Sequence, residues 1–286
     1  MKLVFKILRY SGLPFIFREL VQRNKVTIMM FHDVNKRIAY QSFQYLSSHY
    51  NIISLQQFKA AIQTKNQELL PPKAMVITFD DGHKQNFDIA SILNDFQVPA
   101  TIFLCSGIVN TNRHFWFKSN PTGRATDELK KLPNQTRLKL LAEAGFEQDL
   151  DFPERQALTK AEIEQMRSGI DFQAHTVFHP CLPTCQDEES WQEIVQCKET
   201  LEQEYQLEIN AFAYPNGDHG QREVDFLQKA GYDLAVTVEP GFNSIASDPF
   251  RLKRLSSNDT ADMNELIVKS SGLWGVLKKW TSSKMN

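Results

Sequence analysis

The sequence predicts an α/β fold, either a barrel or an open sheet, in which helices flank a parallel sheet. Short apolar runs typical of buried strands recur along the chain, most clearly at 26–31, 74–79 and 99–104. Segments with helical periodicity separate these runs. Because parallel strands need crossover connections, the alternation favours parallel pairing.

The other predicted elements continue this alternation. Helical spacing is present at 43–50, 55–62 and 84–96, and an apolar stripe between Trp191 and Tyr205 indicates a further core helix. Thr159 and Glu162 form a capping-box pattern that opens a helix ending near Arg167. Further strands are predicted at 171–174, 210–213, 232–238 and 250–255, before a last helix from 262 to about 279.

Length and composition indicate a globular chain of one or two domains. The 286 residues are 42% hydrophobic and 23% charged, and this length suffices for a large core. The chain holds 32 basic and 34 acidic residues, and this net charge of −2 argues against a nucleic-acid partner. Four cysteines are too few for a disulfide scaffold, and no signal-peptide pattern opens the chain, so we expect a cytoplasmic protein.

Two segments depart from a main domain that we place at 26–286. Residues 1–25 carry six basic residues and one acid, Glu19, among apolar residues, which predicts a basic amphipathic helix. Such a helix suits peripheral contact with an anionic membrane, and the alternative is an appended helix that covers the end of the domain. Residues 111–158 are polar and contain three prolines, so we interpret them as an insertion above the sheet.

Three polar clusters follow predicted strands, at the strand ends that carry the site in parallel α/β folds. The first contains Asp80, Asp81 and Gly82, directly after the strand at 74–79. Adjacent carboxylates resist double ionisation unless a cation or a donor neutralises them. A turn at Gly82 can bring both into one cavity, where one binds a metal and the other acts as a base. A solvated Asp-Asp-Gly turn is the alternative.

The second cluster is a pair of histidines, His175 and His179, after the strand at 171–174. Two imidazoles four residues apart can chelate one divalent ion, and catalytic zinc commonly takes three protein ligands. The alternative is two polar loop histidines. The third cluster is the turn at 212–217, whose backbone N–H groups can donate hydrogen bonds to an oxyanion. The alternative is a simple Pro-Asn-Gly turn without a function.

Together these clusters resemble the polysaccharide deacetylases of carbohydrate esterase family 4, the NodB homology domain. TFDDG at 78–82 matches the first family motif, and HTVFH at 175–179 matches the second. FAYPNG at 212–217 is similar to the third, in the form common in exopolysaccharide and poly-N-acetylglucosamine deacetylases. MMFHDV at 29–34 resembles the first-strand segment of those branches, so the resemblance covers residues 26 to about 257.

The resemblance implies a distorted (β/α) barrel with about seven strands. It implies a divalent metal, most often zinc, held by Asp81, His175 and His179, with Asp80 as the base that takes a proton from the attacking water. The backbone N–H of Asn216 is then a donor to the oxyanion. The implied substrate is an acetylated polysaccharide or glycan precursor, with N-acetyl groups expected, and the oligomeric state stays open.

Three departures from the family pattern bear on the mechanism. Ala213 stands where the third motif often carries an arginine that tethers the base, so something else must orient Asp80. The last motif often supplies a histidine as general acid, but residues 252–258 contain none. His32 is our first substitute and His219 the second, with a merely structural His32 as the alternative. Asn216 also replaces a more usual aromatic residue.

Candidate substrate contacts are Tyr214, Pro215 and Trp116, although Trp116 equally suits packing of the insertion. A structural zinc site at Cys181 and Cys185 is a rival interpretation, which the prolines around these residues disfavour. Two functional alternatives stay open, a non-catalytic glycan-binding relative and an amidohydrolase of a small non-sugar amide.

Overall fold

The structure is a computed structural model that describes residues 1–282. Its strands, all parallel, form one sheet in the order β7-β6-β5-β4-β3-β1-β8, with β2 beside β3. The strands are β1 (Val26–Phe31), β2 (Asn51–Ile52), β3 (Ala74–Phe79), β4 (Ala100–Leu104), β5 (Ile170–Ala174), β6 (Ala211–Ala213), β7 (Leu234–Val236) and β8 (Leu255–Ser256). The predicted parallel α/β fold is therefore confirmed.

Helices fill the connections between the strands. They are α1 (Lys2–Tyr10), α2 (Leu13–Ile16), α3 (Lys36–His49), α4 (Leu55–Thr64), α5 (Gln85–Asp95), α6 (Thr126–Leu129), α7 (Asn134–Glu143), α8 (Lys160–Met166), α9 (Asp187–Tyr205), α10 (Gln221–Lys229), α11 (Met263–Ser270) and α12 (Leu273–Ser282). The predicted capping box is present, because Thr159 accepts from the Glu162 backbone while Glu162 accepts from that of Thr159. None of the described helices is long and apolar enough to span a membrane.

The chain from Leu252 to Ser256 curls the sheet into a distorted barrel. Leu252 accepts a hydrogen bond from the Thr237 backbone at 2.8 Å and donates one to Ala235 at 3.0 Å, which attaches it to β7. Three residues later, β8 pairs with β1. Only two residues form β8, where the sequence predicted a strand over 250–255, because a turn of 3₁₀-helix occupies 249–251.

Alternating side chains of the strands divide the core into two layers. Val26, Ile28, Ala74 and Val76 belong to one apolar cluster inside the barrel. The intervening side chains of the same strands pack in a second cluster beneath the outer helices. These are Met29, Phe31, Met75, Ile77 and Phe79. Since side chains alternate along a strand, Asp80 continues the inward-facing row of β3.

The insertion at 111–158 has a small core of its own. Trp116 packs there with Leu129, Leu141, Phe146 and Cys181. The segment contains α6 and α7, where the sequence predicted one helical piece near 138–144. At the other end of the chain, Phe5 of α1 packs against Val268 and Leu273 in a separate cluster. Helix α1 therefore lies along α11, whereas residues that follow it contact α3 and the start of β3, through Arg18 with Tyr45 and Glu19 with Lys73.

The last predicted helix, 262 to about 279, is divided into α11 and α12. Gly272 separates them with a left-handed φ of +78°, and a Cβ added at this position would collide with the ring of Phe242. A left-handed residue cannot continue an α-helix, so the chain turns here.

We predict that Gly272→Ala lowers the free energy of unfolding by about 2–4 kcal/mol, because the new methyl group adds steric overlap to an unfavourable φ. Gly231→Ala is the matched control, since Gly231 has a similar φ of +76° and open space around it. That variant should lose only about 1 kcal/mol. Urea denaturation measures the free energy of unfolding of both variants. Equal losses would show that the Phe242 ring can move aside without an energetic penalty.

Candidate active site

The three polar clusters meet at the carboxyl ends of the strands, at the mouth of the barrel. Asp80 and Asp81 follow β3 and are both buried. In a regular strand their side chains would point to opposite faces. Asp81 instead has a left-handed φ of 73°, as has Gly82, and this turn carries its carboxylate sideways towards β5. The two adjacent carboxylates thus have different neighbours, Asp81 facing His175 and Asp80 facing Arg254.

Asp81 forms a compact cluster with the two histidines. Its Oδ1 lies 3.5 Å from Nε2 of His175 and 3.4 Å from Nε2 of His179. One ligand atom from each of the three residues lies within 4.8 Å of the others, and all three residues are buried. The structure therefore brings together the three residues predicted to hold a metal.

The donor set of this cluster fits a divalent ion such as zinc. Nδ1 of His175 hydrogen-bonds the Ala213 carbonyl at 2.7 Å, which directs Nε2 into the cluster. Oδ1 of Asp81 is buried with no hydrogen-bond partner among the described residues. A buried carboxylate oxygen without a partner is costly, and a cation between it and the two imidazoles would satisfy it.

The loop that carries the histidines is strained and held in place from several sides. Thr176 and His179 have left-handed φ values of 71° and 57°, and such a conformation is rare for a β-branched residue. Thr176 Oγ1 accepts the backbone N–H of His179 at 3.0 Å. Glu193 of α9 accepts the N–H groups of Val177 and Phe178 at 2.8 and 2.9 Å. Strained backbone persists at functional sites when several contacts of this kind fix the same conformation.

Arg254 holds the other carboxylate. Its two terminal nitrogens donate to the two oxygens of Asp80, each at 2.7 Å, and its side chain is fully buried. Nε donates to the carbonyl of Thr237, and one terminal nitrogen also donates to Thr78. Arg254 lies in the segment that closes the barrel, and the path of this segment places the guanidinium at the mouth.

Arg254 takes the place of the arginine missing at Ala213, because it tethers the base from the segment just before β8. The sequence analysis did not predict this role, because the family pattern leads one to expect a histidine, not an arginine, in residues 252–258. Its one signal was its position inside a predicted strand, at 250–255, because an arginine that becomes buried there is usually paired with a carboxylate.

The two aspartates are ionised for different reasons. Burial alone would raise the pKa of Asp80, but the charge of Arg254 and the nearby His175 hold it below its ordinary value. Burial would likewise raise the pKa of Asp81, but the neighbouring imidazoles of His175 and His83 hold it well below the ordinary value. Burial lowers the pKa of His179 to about 3, so this imidazole stays neutral, which is the form that binds metals.

A second residue that the sequence analysis missed, His83, orients the metal-site carboxylate. Its Nε2 lies 2.9 Å from Oδ2 of Asp81, and its Nδ1 lies 3.3 Å from Nζ of Lys118. An ammonium group can only donate, so Nδ1 accepts from Lys118, and Nε2 carries the hydrogen and donates a hydrogen bond to Asp81. Lys118 also pairs with Asp33 at 3.0 Å, which ties the insertion to the loop after β1.

His32, the predicted general acid, is half-buried at the end of β1. Its backbone is held from two sides, because its N–H donates to Asp259 and its carbonyl accepts from Asn86. Its ring nitrogens make no hydrogen bond with the described residues, and its ring lies near enough to Asp80 to favour that carboxylate's ionised form. His219, the second candidate, is less available, because Nδ1 is engaged by the Gly217 carbonyl and the ring stacks on Tyr214.

Three predicted substrate contacts need correction, because protein atoms cover them. Tyr214 is fully buried and its hydroxyl donates to the Phe250 carbonyl, while Pro215 is buried beside it. Trp116 lies inside the insertion and donates its indole N–H to the carbonyl of His179. None of the three presents a face to a substrate. Phe117 is the half-buried aromatic residue beside the cluster, with its ring centroid 4.7 Å from that of His179.

The remaining candidates lie near the site without joining the ligand cluster. Asn216, the predicted oxyanion donor, is half-buried with a left-handed φ of 57°, and its side chain donates to Cys181 Sγ at 3.4 Å. Cys181 and Cys185 are buried free thiols and are absent from the one candidate metal cluster among the described residues. The rival zinc site at these cysteines thus finds no support.

We predict that Arg254→Met lowers the free energy of unfolding by about 3–5 kcal/mol, because it leaves Asp80 charged and buried without a partner. Adding Asp80→Asn should recover part of that loss, since the amide carries no charge. Arg251→Met is the matched control: Arg251 pairs with the exposed Asp248, and its loss should cost no more than about 1 kcal/mol. Chemical denaturation compares the variants, and equal losses for both arginine variants would contradict a buried charge pair.

Known proteins share both the sequence pattern and the fold. The family model described as polysaccharide deacetylase matches residues 67–235. The chain is 22% identical over 240 residues to YxkH of Bacillus subtilis (strain 168), which is named as a polysaccharide deacetylase, and the match covers 81% of this chain and 71% of YxkH.

Two solved structures have a similar fold. The deacetylase PplD of Streptococcus pyogenes in complex with acetate has a TM-score of 0.64 at 21% identity, with 87% of this chain and 99% of that chain covered. IcaB from Ammonifex degensii has a TM-score of 0.65 at 17% identity, with 87% and 98% covered. These likenesses show the fold, and the family model spans more than half of the residues; the chain belongs to the polysaccharide deacetylase family.

Proposed function

We propose that this chain is a metal-dependent hydrolase that removes acetyl groups, expected to be N-acetyl groups, from a polysaccharide or glycan precursor. One observation carries the proposal: two adjacent buried carboxylates have separate partners. Asp81 belongs to the histidine cluster, whereas Asp80 is held by Arg254. A ligand and a base side by side are what hydrolysis by an activated water requires.

Asp81, His175 and His179 are the residues that would hold the metal, for which zinc suits the nitrogen and carboxylate donors. When bound, a divalent ion supplies Lewis-acid polarisation of the acetyl carbonyl and of a water. His83 and the Ala213 carbonyl would keep the ligands in place, because each fixes the orientation of one ligand side chain.

Asp80 would take the proton from the attacking water. Arg254 keeps this carboxylate ionised and aims it, and each Asp80 oxygen retains a lone pair beyond the one that the guanidinium uses. A base needs this combination of fixed geometry and charge to accept a proton during attack. Arg254 is therefore a positioning residue rather than a catalytic one.

Negative charge that develops on the acetyl oxygen would be met by the backbone N–H of Asn216, at the turn after β6. His32 would then donate a proton to the departing amine of the sugar, or to an alkoxide if the substrate is an ester. Its unengaged ring and its proximity to Asp80 support this role. Phe117 replaces Trp116 as the aromatic side chain proposed to contact the substrate.

Acetate release is the direct test of the proposed reaction. The purified chain is incubated with N-acetylated oligosaccharides, O-acetylated oligosaccharides and small non-sugar amides, with and without a chelator. Chelator-sensitive release from the N-acetylated oligosaccharides is expected. Release from the small amides alone would point to the amidohydrolase alternative, and glycan binding without any release would point to a non-catalytic relative.

We predict that Asp80→Asn retains bound metal while turnover falls by roughly 100-fold or more, because the amide keeps the shape but cannot accept the water proton. His179→Gln is the comparison variant, and it should lose metal affinity by orders of magnitude, because one of three ligands is removed. Metal content by atomic emission and acetate release are measured on both. Loss of metal from Asp80→Asn would mean that the two aspartates have exchanged roles.

We predict that His32→Ala lowers turnover on an N-acetyl substrate more than on an activated aryl acetate, whose leaving group needs little protonation. Metal content should stay unchanged, because His32 lies outside the ligand cluster. His219→Ala is the control and should affect both substrates weakly, since its ring is stacked and hydrogen-bonded. Equal losses on both substrates for His32→Ala would exclude the acid role.

A further inference from the structure

The first 21 residues carry an apolar surface that the fold does not cover. Ten of the fifteen large hydrophobic side chains that the described residues expose lie between Met1 and Val21. Leu3, Ile7, Phe15 and Leu20 are each at least 60% exposed. We call these four side chains the amino-terminal face. A cluster of exposed apolar side chains of this kind on a folded protein marks an interaction surface.

The amino-terminal face is distinct from the side of α1 that holds the helix to the protein. Phe5 is buried against Val268 and Leu273, and its ring centroid lies 4.8 Å from that of Trp274. Leu8 packs against the same cluster. Successive residues of a helix are 100° apart, so Leu3 and Ile7 share a side that is turned away from Phe5. Packing onto α11 therefore leaves this second apolar side open.

Exposed lysines accompany the amino-terminal face. Residues 1–25 hold six basic residues and one acid, Glu19. Two cations neutralise that acid within the protein, because Arg18 contacts it at 2.7 Å and Lys73 at 3.1 Å. Lys2 and Lys6 are exposed on α1, between the apolar residues in sequence. The surface is thus both apolar and cationic.

The turn between α1 and α2 lies on the same side of the barrel as the mouth. Arg9, at the end of α1, donates a hydrogen bond to Asn264 at the start of α11. The loop that leads into α11 contains Asp259, which accepts the N–H of His32 at the mouth. A surface that contacts this turn would therefore also lie near the entrance to the candidate active site.

We propose that the amino-terminal face docks on the surface of an anionic phospholipid bilayer, with the apolar side chains among the acyl chains and the lysines at the headgroups. This arrangement is that of an interfacial amphipathic helix, which binds through apolar burial together with attraction to anionic lipid. It needs no spanning helix, and none of the described helices can serve as one. The proposal is independent of the proposed reaction.

Charge favours a bilayer over a second copy of the chain as the occupant. Two copies that met through this face would bring together two clusters of basic residues, and like charges across an interface are unfavourable. Anionic headgroups supply the opposite charge instead. Self-association through the face is accordingly an outcome that would overturn the proposal.

Vesicle co-sedimentation of the full chain tests the docking. Binding to vesicles that contain phosphatidylglycerol should be at least roughly tenfold tighter than to pure phosphatidylcholine vesicles, and it should weaken as salt is added. The triple variant Leu3→Gln, Ile7→Gln and Phe15→Gln should bind at least roughly tenfold more weakly, because the apolar contribution is lost.

The control variant is Tyr40→Gln with Leu69→Gln, which removes two exposed apolar side chains elsewhere and should bind as the wild type does. Circular dichroism verifies that both variants are folded. Lys2→Gln with Lys6→Gln should weaken binding and flatten its salt dependence.

Three results would overturn the proposal. They are no binding of the wild type to phosphatidylglycerol vesicles, equal binding by the triple variant, or dimerisation in sedimentation equilibrium that the triple variant abolishes while vesicle binding is absent.

Discussion

The buried ion pair between Asp80 and Arg254 is the interaction on which the candidate site depends. Two adjacent carboxylates at the mouth of a barrel would repel each other and favour protonation, since burial penalises each charge. Arg254 compensates Asp80 with two hydrogen bonds of 2.7 Å, which leaves Asp81 free to face the histidines. Arg254 belongs to the segment that joins β7 to β1. The same segment therefore closes the barrel and keeps Asp80 ionised.

Strained backbone conformations also direct the two carboxylates to different partners. Left-handed φ values at Asp81, Thr176 and His179 turn the three side chains out of the directions that regular strands would give them. Such conformations are unfavourable in isolation, and the hydrogen bonds that Glu193 and Thr176 accept from the loop backbone keep the histidine loop in them. Rigid ligands whose orientation is set before an ion arrives favour binding of the ion without rearrangement.

Segments outside the barrel complete the surroundings of the site. The insertion contributes Lys118, which reaches His83 and Asp33, and Phe117, which lies against His179. The amino-terminal helix packs along α11, whose preceding loop holds the backbone of His32 through Asp259. The barrel thus supplies the charged groups, and the added segments shape the approach to them, because loops at the strand ends surround the mouth.

Local sequence by itself determined the parallel α/β fold, and it placed a carboxylate pair and a histidine pair at strand ends, because each of these depends on short-range pattern. The resemblance to the polysaccharide deacetylases then implied that Asp81, rather than Asp80, joins His175 and His179 as a ligand. Tertiary structure alone decided the partner of Asp80, since Arg254 is 174 residues away and no local pattern links the two. It also decided between Trp116 and Phe117. Neighbours on an irregular segment have no fixed periodicity, so which of two adjacent aromatic rings is buried depends on the packing of the insertion against the barrel.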